Sequence, residues 1–361
     1  MANFDSAELA LKCVCPSNVM KYDDKEMPSI YVYIPKFRLC DVMSVTDTSV
    51  HPAFRMNGQE IDGFYFGKFQ THHYNGRAYS LPGEDPANSA TLDTFVAYAR
   101  AKGGHFHEVT AAEWSAVALW CHKNGCEPKG NNNYGKDTAE TLYKAKPTYK
   151  DSNGQTCHVA TGTGPITWSH DGTLEGIWDL NGNVWEWCTG LRLVNGEVQI
   201  IADNNAADPT CDLSASSAAW KAIKASDGTL IAPDGTGTTQ GSVKLDYTAS
   251  KWFYSTTITS LSDSSRSCSF KDVYADSSIG AAAKQLLMAL TMLPDTALTG
   301  TGIDATYGGD AFYANNGTPE RCLFRGGNWS NGGRAGVFYS DLSNPRSLSN
   351  TSIGGRSAFY D

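Results

Sequence analysis

The sequence predicts an α+β protein in which short strands and a few short helices are set in long irregular segments. Three observations carry that expectation. Runs of β-branched and aromatic residues bounded by Pro or Gly occur near residues 28–40 and 61–70. Two segments between 90 and 121 repeat their apolar residues at helical spacing. The stretches at about 123–170 and 200–318 are dominated by small polar residues and Gly, with Lys and Pro in the first of them.

Taken in order, "PSIYVYIPKFRLC" reads as a strand between prolines. "IDGFYFGKFQ" reads as a second, with Phe64, Phe66 and Lys68 alternating with Tyr65, Gly67 and Phe69. "ATLDTFVAYARAKGG" puts Leu92, Phe95, Val96 and Ala99 on one helical face, with Gly103 placed to end the helix. "TAAEWSAVALWC" opens with Thr110 and Glu113 at capping-box spacing, and Trp114, Val117, Ala118 and Cys121 then share a face. "GIWDLNGNVWEWC" holds three tryptophans at residues 176–188. "IGAAAKQLLMALTML", residues 279–293, reads as a buried helix. The Gly runs "GTGPITW", "GTGTTQG" and "GTGIDATYGG" do not lie between a strand and a helix, so turns rather than phosphate cradles are expected.

Bulk properties remove several classes of function. A chain of 361 residues with 41% hydrophobic content can bury a substantial core. A net charge of −9 disfavours a surface that tracks phosphates, so no nucleic-acid partner is expected. The 279–293 segment is too short to cross a bilayer and carries Lys284 and Gln285, so no membrane insertion is expected. Asp5 and Glu8 stand where a secretion signal would carry basic residues and then an apolar run, and no such signal is read. The ten cysteines are scattered without a Cys-x-x-Cys pair, which disfavours zinc and suits reduced thiols in a reducing cytoplasm.

The order of "GFYFGKFQ", "HEVTAAEW", "GIWDLNGNVWEWC", "CLFRGGNW" and "IGGRSAF" resembles the formylglycine-generating-enzyme type of C-type lectin fold. The resemblance covers roughly residues 30–190 and 320–361. It implies an N-terminal segment at 1–25, one domain at 26–361 and a large insertion at about 200–318. Trp185, Trp187 and Trp329 are then expected to form an aromatic core. Gly355 departs from the aromatic residue usual in the family's closing motif.

The resemblance does not bring the family's chemistry with it. The oxidases use a copper-binding cysteine pair after the Gly-Gly strand; the matching positions here are Asn331 and Gly336, and no cysteine follows Cys322. No catalytic residue and no catalytic cofactor are therefore expected, and the chain reads as non-enzymatic. The histidine-dependent iron site of related sulfoxide synthases would have to draw on His72, His73, His105 and His107, which read more simply as surface or satisfied imidazoles. The resemblance also implies a structural calcium held by the side chains of Asp179 and Glu186 and the carbonyls of Gly182 and Val184. The other reading of these residues pairs Glu186 with a backbone donor or an arginine.

The tail "RGGNWSNGGRAGVFYSDLSNPRSLSNTSIGGRSAFYD", residues 325–361, contains no Lys, Glu, Gln or Met. It resembles the variable region of proteins diversified by diversity-generating retroelements, in which adenines of a template are randomised so that Asn codons become many residues, but not those four. The frame would be Trp329, Gly332, Ala335, Gly336, Val337, Phe338, Leu342, Arg346, Ile353, Gly354 and Arg356. The varied, outward positions would be Ser330, Arg334, Tyr339, Asp341, Ser343, Asn344, Leu348, Asn350 and Ser352, with Asn331 as a further candidate. The expected function is display of a hypervariable surface to a cell-surface or other macromolecular ligand, protein or glycan. A phage tail or a bacterial surface is the expected location, and the oligomeric state is not legible. The competing readings are an oxidase-like enzyme using other residues and a carbohydrate lectin of fixed specificity.

Overall fold

A computed structural model describes residues 5–296 and 307–361; most of the "GTGIDATYGG" run lies outside the described residues. The architecture is mixed α and β and dominated by sheet. One antiparallel five-stranded sheet has the order Asn18–Tyr22, Pro28–Pro35, Gly63–Gly67, Ser357–Phe359, Phe106–Glu108. The division expected between residues 25 and 26 falls inside this sheet's first hairpin, because Asn18–Tyr22 pairs residue for residue with the strand after it.

A 12-stranded sheet forms the second layer. Its middle runs Ala311–Ala314, Gly336–Asn344, Arg321–Gly326, Trp185–Val194, Glu197–Ile201. The tail crosses both layers. Its strand Gly336–Asn344 lies inside the large sheet, Ile353–Gly354 runs parallel to Trp185–Val194, and Ser357–Phe359 fills a gap in the small sheet.

The helices form where local chemistry predicts them. In Leu92–Arg100 the Thr91 hydroxyl accepts the Thr94 amide, satisfying one free N–H of the first turn, and Leu92, Phe95, Val96 and Ala99 are buried. Ala111–Lys123 carries the full capping box between Thr110 and Glu113. This helix is buried nearly all round, and the indole of Trp114 donates to the Val337 carbonyl at 2.8 Å, which fixes the helix against the tail strand.

The segment at 200–318 is not a loose excursion. Its strands Trp220–Ile223, Lys244–Thr248 and Lys251–Ser255 extend the large sheet, and Ile223, Leu245, Trp252, Tyr254 and Leu287 share one core with Phe64, Trp114 and Leu193. The helix expected at 279–293 is found as Ala281–Ala289. Buried Arg325 donates to the Leu290 carbonyl at 2.9 Å, tying the end of that helix to the start of the tail. Among the described residues no helix is long and apolar enough to cross a membrane.

Trp185 and Trp187 are core residues as expected, but Trp329 is only half-buried and meets the imidazole of His158 edge-on at 5.0 Å. It follows a glycine turn that carries it out of the sheet, so it stands at the rim.

Candidate binding surface

The tail leaves the large sheet through Gly326 and Gly327, both in the left-handed region at φ +87° and +86°. A Cβ at Gly326 would lie 3.0 Å from the Leu180 carbonyl, and one at Gly327 would lie 2.6 Å from Ala335 Cβ, so two glycines are needed for backbone and space alike. Asn side chains then hold the turn. Asn328 Oδ1 accepts the backbone N–H and the hydroxyl of Ser330, both at 2.9 Å, and Asn331 Oδ1 accepts the Asn328 amide at 2.7 Å. On this fixed backbone Ser330 and Arg334 are exposed and Asn331 is half-buried.

Further along, Asn350 is exposed and Asn344, Leu348 and Ser352 are half-buried. Asn350 Oδ1 accepts the Ser352 N–H at 2.8 Å and its hydroxyl at 2.7 Å, again a side chain shaping its own turn. Leu348 rests on the cluster of Leu92, Phe95 and Tyr339.

Three of the expected outward positions point inward. Tyr339, Asp341 and Ser343 are 4%, 6% and 7% exposed. The reason is topological: Gly336–Asn344 is flanked by Arg321–Gly326 on one side and Ala311–Ala314 on the other, and both of its faces are covered. Tyr339 packs edge-on against Trp185 at 4.5 Å. Asp341 Oδ1 accepts the Ser343 N–H at 2.8 Å and hydroxyl at 2.6 Å, and burial pushes its carboxyl up to about 7. The frame positions Ala335, Gly336, Val337, Phe338, Leu342, Ile353, Gly354 and Arg356 are buried as expected, Gly332 is half-buried, and half-buried Arg346 is held by Glu320 and Asp93.

The sequence reading missed what flanks the tail. Residues 129–150, expected as featureless loop, run along it: the Gly332 amide donates to the Asn132 carbonyl at 2.8 Å and the Tyr134 amide to the Trp329 carbonyl at 2.9 Å. His158 closes the seam. Its Nε2 donates to the Thr351 carbonyl at 2.8 Å, its Nδ1 lies 3.2 Å from Asp85 Oδ1, and its ring sits between Tyr149 and Trp329. A cleft of about 120 Å³ separates loop and tail, lined by Lys129, Asp137, Thr138, Asp310, Gly333 and Val337 among others. The only trace of this in the sequence is a polar segment unusually rich in Tyr and Lys.

Most of the donor set expected for calcium already faces protein hydrogen-bond donors, while buried Asp179 Oδ1 has no partner among the described residues. The carbonyls of Gly182 and Val184 and the carboxylate of Glu186 converge on one protein atom, Gln70 Nε2, at 3.4, 3.0 and 2.9 Å. Glu186 is further paired with Arg356 through two bonds of 2.7 Å, which is the arginine alternative for this residue. Asp179 turns one carboxylate oxygen to the Gly162 amide at 2.8 Å, and burial pushes its carboxyl up to about 6. Among the described residues no group of three or more His, Cys, Asp or Glu side chains is placed to hold a metal.

The four histidines considered for iron are dispersed into other roles. His72 Nδ1 lies 3.4 Å from the Asp85 carbonyl, His73 stacks on Tyr98 at 4.1 Å and His105 on Tyr360 at 4.3 Å, while His107 Nε2 meets Glu113 Oε1 at 2.8 Å. At the oxidase positions, Asn331 caps the turn, and a Cβ on Gly336 would lie 2.1 Å from the carboxylate of Asp310. Cys322 is buried, and its thiol is pushed up to about 12, mainly by desolvation. Gly355 is explained by space: a Cβ there would lie 2.1 Å from Glu108 Oε1 and 2.9 Å from the ring of Phe95.

No protein-family model matches this sequence, and no curated protein is detectably similar to it. Among solved structures the chain is similar to Treponema denticola variable protein 1, with 10% identity and a TM-score of 0.34 over 95% of this chain and 99% of that one. A superposition that loose transfers no residue roles.

Proposed function

We propose that this chain is a non-enzymatic binding protein of C-type-lectin type whose C-terminal tail presents a diversified surface to a macromolecular ligand. One observation carries the reading. The tail lacks Lys, Glu, Gln and Met, and its exposed polar residues Ser330 and Arg334 stand on a turn held by the side chains of Asn328 and Asn331, while exposed Asn350 holds the turn it belongs to. Side chains on a backbone fixed by other residues can change without refolding the domain.

Within this reading Ser330, Arg334 and Asn350 are the primary contacts, with Asn331, Asn344, Leu348 and Ser352 at the margin. Tyr339, Asp341 and Ser343 act from beneath, by setting the shape and stability of the strand under the rim. A phage tail or a bacterial surface is the setting such a protein suits.

The test is the DNA beside the gene. A near-copy of the tail's coding sequence next to a reverse transcriptase gene, with mismatches confined to template adenines, supports the proposal. Absence of any such copy, together with ligand binding that is indifferent to exchange of Ser330, Arg334 and Asn350, points to a lectin of fixed specificity instead.

A further inference from the structure

The loop flanking the tail carries a composition at odds with the rest of the molecule. Between residues 129 and 150 there are five lysines against two carboxylates, in a chain whose net charge is −9. Lys144, Lys146 and Lys150 are exposed, and among the described residues none of the three forms an ion pair. Elsewhere Lys21, Lys25, Lys36, Lys224, Lys251 and Lys271 form ion pairs, while Lys12, Lys123, Lys221 and Lys284 form none among the described residues. Of the two carboxylates of the segment, buried Asp137 accepts from Gly130, Asn132 and Ala139, and half-buried Glu140 accepts at the surface from the exposed Thr167 hydroxyl.

The same segment exposes Tyr134, Tyr143, Tyr149 and Leu142, the last at 91%. Apolar rings left in water beside free cations need a partner that takes both. Among the described residues the strand Pro147–Lys150 within this segment pairs only with Thr156–Val159. Addition of a peptide strand at its outer side is disfavoured, because a proline and flanking lysines are how natural edges resist such pairing. A nucleic acid is disfavoured by the absence of Arg, whose planar fork matches phosphate, from the segment. A polymer with widely spaced carboxylates and apolar ring faces fits both features: ammonium groups meet the charges, and tyrosine rings cover the C–H faces of the sugars.

We infer that residues 134–150 form a fixed docking apron for an anionic polysaccharide, beside the tail and independent of its variable residues. The apron orients a uronic-acid-type polymer along the rim, and His158 couples the two parts through Tyr149, Trp329 and Thr351.

The test uses the full chain and size-fractionated polygalacturonate as the probe, with dextran as the neutral control. Wild type is expected to bind polygalacturonate and not dextran. The variant Lys144→Glu/Lys146→Glu/Lys150→Glu is expected to bind at least about tenfold more weakly, with weakening by added salt. Tyr143→Ser/Tyr149→Ser, at unchanged charge, is expected to lose affinity too, with circular dichroism confirming that both variants fold. Ser330→Tyr, outside the His158 contacts, should leave polygalacturonate binding unchanged even if it alters binding of a tail-specific ligand, so failure of the tail reading and failure of this one are separable. No binding, full binding by the lysine variant, or a tyrosine variant equal to wild type overturns the inference. Competition by poly-glutamate or oligo-thymidylate as strong as by polygalacturonate also overturns it, since charge alone would then account for binding.

Discussion

The guanidinium of Arg356 grips the carboxylate of Glu186 side-on, Nε to Oε2 and Nη2 to Oε1, both at 2.7 Å, in the seam between the two sheets. Arg356 also donates to the carbonyls of Gly67 at 2.9 Å and Trp178 at 3.0 Å, so one residue of the tail satisfies three separate segments. Arg356→Met leaves the buried Glu186 carboxylate with Gln70 as its donor and strands two carbonyls. A loss of about 3–5 kcal/mol is expected, read by urea denaturation.

Because Gln70 and Arg356 already supply the donors that Glu186, Gly182 and Val184 face, the fold should not depend on calcium. Excess EDTA is expected to leave the melting temperature of the wild type unchanged. Gln70→Glu replaces the central N–H donor by a second carboxylate beside Glu186, and should lower the melting temperature in EDTA and recover part of it with added calcium. A wild-type Tm that falls on chelation would contradict this account.

Asp341 has a folded-state carboxyl near 7 against an ordinary value of 3.8. The folded state therefore holds an extra proton between about pH 4 and 7, and stability is lost as pH rises through that window. Asp341→Asn keeps the Oδ1 acceptor for Ser343 and removes the charge. It is expected to stabilise by on the order of 2 kcal/mol above pH 7 and to be neutral near pH 4, measured by denaturation across pH.

Lys102 is fully buried, bonded to Ser29 Oγ at 2.9 Å and Tyr31 OH at 3.0 Å, and desolvation pulls its ammonium down to about 7. The ring of Phe106, 4.1 Å from Nζ, offsets part of that penalty. The unfolded chain binds this proton up to its ordinary value of 10.5, so the group makes stability rise with pH between about 7 and 10. Lys102→Met should flatten that rise and raise the melting temperature most at pH 6.

The rim and the strand beneath it should respond differently to substitution. Exchanging Ser330 or Arg334 is expected to change stability by no more than about 0.5 kcal/mol. Tyr339→Ala, which empties the contact with Trp185, is expected to lose about 3 kcal/mol or more. Restoring an aromatic residue by Gly355→Phe should prevent folding, since even a Cβ meets Glu108 at 2.1 Å.

Features built from neighbouring residues were legible in the sequence. The face of Leu92, Phe95, Val96 and Ala99, the Thr110–Glu113 box and the short strands at Pro28–Pro35 and Gly63–Gly67 rest on contacts a few residues apart, so residue types alone define them. The strands within 200–318 were hidden, because they are short, rich in Ser and Thr, and stabilised by partners elsewhere in the large sheet. By itself the sequence determined the α+β composition, the two capped helices and a C-terminal tail of unusual residue content. Only tertiary structure decided that Tyr339, Asp341 and Ser343 lie inside the sheet, that Gln70 Nε2 faces Gly182, Val184 and Glu186, and that the 129–150 loop borders the tail. Each depends on pairs far apart in the chain, such as His158 with Thr351, 193 residues away, and no local pattern encodes which distant strand or side chain arrives beside a given residue.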